Sequence, residues 1–233
     1  MQVAVLAGGL ATRLGPLTKE TPKSLINIRG KPFLQYQLEF LKRGGVEDVV
    51  LCIGHLGENI EKYFGDGREF GINIKYSYDG DKLRGTAGAL KNAESLLEDE
   101  FIVMYGDSYL FLDFSAVASY FRKFDKLGLM VVYKNTDRYD KSNVVIDGNL
   151  VTEYNKKVRT KGMVYIDYGA SILRKKALKL VPQNQPYSLE ELLSQLIDRK
   201  QLLAYEVDKR FYQIGSLEGL HEFEKYISGK ARQ

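Results

Sequence analysis

Val3-Ala4-Val5-Leu6-Ala7-Gly8-Gly9-Leu10-Ala11-Thr12-Arg13-Leu14 is a short apolar run that breaks at two glycines. The run reads as a strand, and the paired glycines let the backbone turn sharply and bring its N–H groups close to an anion. Phosphate is the natural guest of such a loop. Alone, a Gly-Gly pair is equally well explained as a tight strand-to-loop turn. Arg13 shifts the balance, because a planar guanidinium beside an open glycine loop can grip two phosphate oxygens at once. Lys23, in Thr21-Pro22-Lys23-Ser24-Leu25, adds a second cation on a segment stiffened by proline. The spacing fits neither the dinucleotide fingerprint nor the P-loop, which ends in Gly-Lys-Ser or Gly-Lys-Thr.

Outward from this loop, Val49 to Ile53, Ile72 to Tyr76, Phe101 to Tyr105 and Leu129 to Tyr133 also read as strands, while Pro32 to Arg43, Ala87 to Leu97 and Ser115 to Phe124 have helical periodicity. Runs that are apolar on both faces belong to a sheet covered by helices on each side. The expected fold is therefore α/β, a single doubly wound, mostly parallel mixed sheet. In the second half the alternation loosens. Val144 to Ile146 and Leu150 to Glu153 flank the hairpin signal Asp147-Gly148-Asn149, and Ser188 with Glu191 forms a capping box before a helix. With no linker or repeat, residues 1–233 are expected to form one domain with a small β-hairpin extension and a soft boundary near residue 135.

The 34 basic and 30 acidic residues leave a net charge of +4, spread along the chain and not gathered into a nucleic-acid arm. A phosphate-rich small substrate accounts for the excess. Cys52, the single cysteine, lies in an apolar run and is expected in the core, so neither a disulfide nor a zinc site is expected. His55 and His221 lack the spacing for zinc or a catalytic triad. No apolar stretch reaches the roughly 18 residues of a membrane span, and the first residues open directly into a strand. A soluble, cytoplasmic protein is expected, without nucleic-acid or membrane partners; a homo-oligomer is allowed.

Asp107 follows the strand Phe101 to Tyr105, and open α/β sheets place ligands at the carboxyl ends of their strands. A hard divalent cation, Mg2+, is its expected partner, since magnesium commonly takes only one or two protein carboxylates. Taken alone, an Asp beside a glycine is more often a solvated turn residue. Gly85-Thr86-Ala87-Gly88 opens a helix with two glycines that allow close approach to a planar ring, although glycines there are as often caps.

The run Leu6 to Thr18, then Pro22-Lys23, then Gly30-Lys31-Pro32, resembles the signature of the sugar-phosphate nucleotidylyltransferases. The resemblance implies a Rossmann-like nucleotidyltransferase fold. It implies that Leu6, Ala7, Gly8, Gly9, Arg13 and Lys23 hold the triphosphate, with Arg13 and Lys23 catalytic. It further implies that Gly85, Thr86 and Gly88 border the base and that Asp107 holds the metal. On the acceptor side, the family's Glu-Lys-Pro segment is matched by Tyr154-Asn155-Lys156-Lys157. Lys156 inherits the phosphate role, whereas Asn155 replaces the acidic residue that contacts a sugar hydroxyl in relatives. Asp167 and Gly169 match the strand that lines the sugar pocket. Gln213 stands where relatives commonly place a second metal-binding aspartate, and an amide is a far weaker magnesium ligand.

The resemblance thus implies nucleoside monophosphate transfer from a nucleoside triphosphate to a phosphorylated small-molecule acceptor. A mannose or heptose 1-phosphate guanylyltransferase is favoured. Residues 1–134 then form a nucleotide-binding half and residues 135–233 an acceptor-binding half. Two alternatives stay open: a cytidylyltransferase acting on phosphocholine or on a polyol or amide phosphate, and a nucleotide-binding subunit without catalysis.

Overall fold

The computed structural model describes residues 1–9, 21–80 and 82–230. Arg13 and the rest of the segment 10–20 lie outside the described residues. The strands in chain order are β1 (Gln2–Leu6), β2 (Asn27–Ile28), β3 (Lys31–Pro32), β4 (Asp48–Ile53), β5 (Asn73–Tyr78), β6 (Glu100–Tyr105) and β7 (Ser108–Tyr109). There follow β8 (Gly128–Lys134), β9 (Val144–Asp147), β10 (Leu150–Tyr154), β11 (Tyr165–Arg174), β12 (Leu202–Val207) and β13 (Tyr212–Gln213). The α-helices are α1 (Phe33–Arg43), α2 (Gly57–Phe64), α3 (Thr86–Asn92), α4 (Phe114–Phe121), α5 (Leu189–Asp198) and α6 (Leu217–Lys230).

Nine strands form one mixed sheet in the order β5-β4-β1-β6-β11-β8-β12-β10-β9. The first four are mutually parallel, as expected of their unbroken apolar runs. β11 then enters antiparallel between β6 and β8, while β12 runs parallel to β8. The expected hairpin is present as β9 and β10, and β9 also meets the start of β11 at Tyr165 and Val144, so the far end of the sheet curls onto itself.

Alternation along β1 sorts the core into two layers. Val3 and Val5 face α1, α2 and α4 through Leu34, Leu38, Ile60 and Phe121, whereas Ala4 faces α3 and α5 through Leu90, Leu192 and Leu196. Each of these fully buried Leu or Phe side chains contributes about 1.5–3 kcal/mol of transfer free energy, and truncating Leu38 to Ala would cost roughly 2–5 kcal/mol. α5 starts as its sequence requires, with Ser188 Oγ accepting from Glu191 N at 3.1 Å and the Glu191 carboxylate accepting from Ser188 N at 2.7 Å. Among the described residues no helix is long and apolar enough to cross a membrane. Cys52 is buried, and burial followed by the nearby Asp79 charge pushes its thiol up to about 12, so it is an inert packing group.

The chain leaves β1 toward β4 and β5 on one side and returns to β6 on the other. The sheet order therefore reverses at β1, and a crevice opens at the carboxyl ends of β1 and β6.

Candidate active site

Four strand ends meet in that crevice. β1 ends in Ala7-Gly8-Gly9, β4 in Gly54, β5 in Asp79 and β6 in Gly106-Asp107. The ends of β1, β5 and β6, with Cys52 of β4, line a cleft of about 380 Å³ that also includes Lys23 and Thr86.

The turn bearing Asp107 is held from three directions. Gly106 N donates to Leu6 O at 2.9 Å, and a Cβ on Gly106 would stand 2.8 Å from that same oxygen, so only glycine lets the turn lie flat on β1. Gln37, buried on α1, donates from Nε2 to Tyr105 O at 3.0 Å and to Ser108 O at 2.7 Å. Ile214 N donates to Asp107 O at 2.9 Å and continues the pairing of β13 with β7, which brings Gly215 to the cleft. Behind this frame α6 packs Phe223 edge-on against Phe33, ring centres 5.1 Å apart.

Within the cleft Lys23 Nζ lies 2.6 Å from Asp107 Oδ2, and Ser108 Oγ donates to Asp107 Oδ1 at 3.1 Å. The Lys23 and Asp107 side chains are 15% and 29% exposed, open enough to exchange this contact for a ligand. Leu6, Ala7, Gly8, Gly9, Lys23, Gly85, Thr86 and Asp107 all line the cleft, as their motifs lead one to expect. Gly88 does not. Its N–H donates to Tyr187 O at 3.0 Å, and the residue packs against Arg84 and the 185–187 segment, a Cβ there standing 3.1 Å from Arg84 Cβ. Gly85 serves both purposes: it lines the cleft, and its φ of 71° and ψ of 169° with a would-be Cβ 2.6 Å from Tyr187 O admit only glycine.

The acceptor-side residues form a second cluster that touches the first through Tyr105. Lys156 Nζ lies 3.5 Å from Asp167 Oδ2 and donates to the Tyr105 hydroxyl at 3.3 Å, and Tyr105 also lines the cleft. Asp167 is buried. It accepts from the Tyr154 hydroxyl at 2.7 Å and from Gly169 N at 3.0 Å, and the pairing of β11 with β8 slips between Asp167 and Ser171 around Gly169. Burial alone would lower the Lys156 ammonium, but the Asp167 carboxylate and the Tyr105 hydroxyl outweigh it and hold the group above its ordinary value. Burial, then the Asp167 charge, push the Tyr105 phenol up to about 12. At neutral pH the cluster is a full cation beside a neutral phenol. Asn155 instead turns inward on its own loop, its Oδ1 accepting from Lys157 N and Val158 N, both at 2.8 Å. Gln213 borders a separate hollow with Tyr133 and Arg210.

Three cleft residues with hydroxyl or carboxylate side chains were given no role by the motifs. Ser24 is buried, and its Oγ has no hydrogen-bond partner among the described residues. Tyr105 is disguised as the last residue of an apolar strand. Asp79 is the third; reading β5 as ending at Tyr76 hides it, whereas the strand runs to Tyr78 and sets Asp79 at a strand end like Asp107.

The nucleotidyl transferase family profile matches residues 2–228. A D-glycero-alpha-D-manno-heptose 1-phosphate guanylyltransferase from Campylobacter jejuni is 32% identical over 96% of this chain and 98% of its own length. The mannose-1-phosphate guanyltransferase of Saccharomyces cerevisiae is 30% identical over 92% of this chain, which spans only 61% of the yeast protein. Among solved structures, HddC from Yersinia pseudotuberculosis superposes with a TM-score of 0.81 at 27% identity, covering 97% of this chain and 99% of that one. A putative glucose-1-phosphate thymidylyltransferase from Bacillus anthracis shares the fold, with a TM-score of 0.84 at 22% identity over 97% of this chain and 94% of that one. The chain belongs to the nucleotidyl transferase family.

Proposed function

We propose that this protein transfers a nucleoside monophosphate from a nucleoside triphosphate to a sugar 1-phosphate, giving a nucleoside diphosphate sugar and pyrophosphate. The observation that carries the reading is the meeting of Lys23 and Asp107 at 2.6 Å beside the glycine turn of β1, at the point where the sheet order reverses. The guanylyltransferase relatives make GTP with mannose or heptose 1-phosphate the favoured pair.

A phosphate oxygen of the acceptor forms a bond to the α-phosphorus in line as the bond to the pyrophosphate oxygen breaks. No proton need be removed from a phosphate dianion, so the protein's work is positioning and charge stabilisation. The backbone of Gly8 and Gly9 receives the triphosphate. Lys23 leaves Asp107 for the phosphates and stabilises charge on the α-phosphoryl group and the departing pyrophosphate. Arg13, outside the described residues, keeps its expected place on the triphosphate. Lys156 holds the acceptor's phosphate, anchored by Asp167 and Tyr105. Nucleotide binding then falls to residues 1–134 and acceptor binding to 135–233, as two parts of one domain.

The donor set suits magnesium. Among the described residues no three His, Cys, Asp or Glu side chains gather, and a single carboxylate, Asp107, with the remaining sites left to phosphate and water is a common magnesium arrangement. When bound there, the ion would screen charge between the attacking and leaving oxygens. The cytoplasm, where nucleoside triphosphates are plentiful, is the expected place of action.

The test is a matrix of nucleoside triphosphates against sugar 1-phosphates and alcohol phosphates, read by pyrophosphate release. Turnover confined to sugar 1-phosphates supports the reading. Turnover confined to phosphocholine or a polyol phosphate would replace it, and nucleotide binding without turnover on any acceptor would leave a non-catalytic subunit.

A further inference from the structure

Tyr105 stands where the nucleotide cleft and the acceptor-side cluster meet. Its side chain lines the cleft, while its hydroxyl oxygen accepts from Lys156 Nζ at 3.3 Å on the acceptor side. Among the described residues no acceptor takes the proton of this hydroxyl. Tyr154, the neighbouring phenol, differs in that respect, since it gives its proton to Asp167 Oδ2 at 2.7 Å. A partly buried hydroxyl that receives a cation on one side and keeps an unused donor is a ready partner for an anion.

The ring is held on several sides. Tyr105 closes β6, where it pairs with Leu6 of β1, and its carbonyl oxygen accepts from Gln37 Nε2 at 3.0 Å. On β11, Gly169 has a φ of 88°, and a Cβ there would stand 3.5 Å from Tyr105 Cδ2, so the ring edge lies beside bare glycine backbone. Lys156 Nζ is also 4.8 Å from the ring centre, which keeps ammonium and ring together.

The chemistry of the acceptor gives the unused donor a task. A phosphate monoester has three terminal oxygens, and one of them has to face the α-phosphorus in line. A lysine alone is a point charge and leaves the group free to rotate about its ester bond. A second donor on a different oxygen stops that rotation. A neutral donor suits this better than a second cation, which would draw more charge from the attacking oxygen. Burial and the Asp167 charge keep the Tyr105 phenol protonated at neutral pH.

We propose that Tyr105 is a catalytic residue whose hydroxyl donates to a non-attacking oxygen of the acceptor's phosphate, so that Lys156 and Tyr105 together aim the remaining oxygen at the α-phosphorus. The assignment rests on the nucleotidyl-transfer reading and adds a substrate contact to it. The phenol keeps its proton throughout; the bond from acceptor oxygen to α-phosphorus forms as the bond to pyrophosphate breaks.

Tyr105→Phe tests this, because it removes the hydroxyl and keeps the ring beside Gly169 and Lys156. Wild type and variant are compared as full chains with GTP, magnesium and mannose or heptose 1-phosphate. Pyrophosphate release gives kcat and the acceptor KM, and calorimetry without acceptor gives GTP affinity. Misaligned attack costs about ten- to a hundred-fold, so kcat should fall by that factor while acceptor KM and GTP affinity stay near wild type. Single-turnover rates at saturating substrates, taken below the variant's melting range, keep the comparison valid if the variant is less stable. An unchanged kcat would overturn the assignment. So would a raised acceptor KM with kcat kept, the pattern expected of a residue that acts only by holding Lys156, or a loss confined to GTP affinity. A fully active Tyr105→Phe beside an active wild type removes only the role of Tyr105, whereas a wild type that turns over no sugar 1-phosphate removes the nucleotidyl-transfer reading as well.

Discussion

Lys23 and Asp107, 84 residues apart in sequence, close on each other at 2.6 Å in the cleft. On the proposed reading each is the other's stand-in, the carboxylate in the place of a phosphate for Lys23 and the ammonium in that of a cation for Asp107. Phosphates and magnesium entering together would exchange both contacts at once, so little charge is left unpaired at any stage. Lys23→Met removes the cation and keeps most of the stem's packing. It is expected to lower kcat by about 10²- to 10³-fold, the usual cost of losing one transition-state donor, with a smaller change in nucleotide affinity. Single-turnover kinetics would check it; a loss confined to KM would place Lys23 in ground-state binding only.

Lys156 is expected to divide acceptor from nucleotide. Loss of a charge-assisted contact costs on the order of 1.5–3 kcal/mol, or ten-fold to above a hundred-fold, and because the side chain is 41% exposed the lower end applies. Lys156→Ala should therefore raise the acceptor KM about ten-fold, while GTP binding measured without acceptor stays near wild type. Weakened nucleotide binding with unchanged acceptor kinetics would contradict the placing of Lys156.

Gly85→Ala tests the frame of the cleft. The backbone conformation there costs any other residue about 1–3 kcal/mol, and the new methyl would press on Tyr187 O. Thermal unfolding should fall by roughly 2–4 °C for each kcal/mol lost. Unchanged melting would mean that the Tyr187 segment gives way freely.

Asp79→Asn is expected to stabilise the free protein. Burial raises the Asp79 carboxyl above the ordinary aspartate value of 3.8, only partly offset by the Arg84 N–H and charge. The wild-type contribution is therefore fully present below pH 3.8 and is lost as pH rises through the raised folded-state value. Melting curves of variant and wild type should coincide at the acid end of the range and separate toward neutral pH, with the variant higher. A wild type that melts higher at neutral pH would contradict this.

Much of this was legible in the sequence where one residue's chemistry and one strand's periodicity coincide. Gly8 and Asp107 lie beside runs whose apolarity on both faces identifies central parallel strands, and the strand-end rule then brings them together, whereas Lys23 sits on a 3-10 turn and was legible only through its Pro-Lys segment. β11 carried a weaker signal: Asp167 and Gly169 interrupt the apolar run of this ten-residue strand. Asp79 was lost for a related reason. The expected strand stops at Tyr76, yet pairing with β4 carries it two residues further, through Ser77 and Tyr78. Asn155 and Gly88 show the reverse, since a matching motif position cannot reveal that a side chain caps its own turn or that a glycine is taken up by packing.

The most direct measurement follows the α-phosphorus itself. GTP labelled at that position is incubated with magnesium and mannose or heptose 1-phosphate, and the products of wild type and Asp107→Ala are compared. The label should pass into a nucleotide sugar with an equal amount of unlabelled pyrophosphate, only when acceptor and metal are both present, and fall to background in Asp107→Ala. Label that stays in GTP or GDP, release of orthophosphate in place of pyrophosphate, or full transfer by Asp107→Ala would contradict nucleotidyl transfer at this cleft.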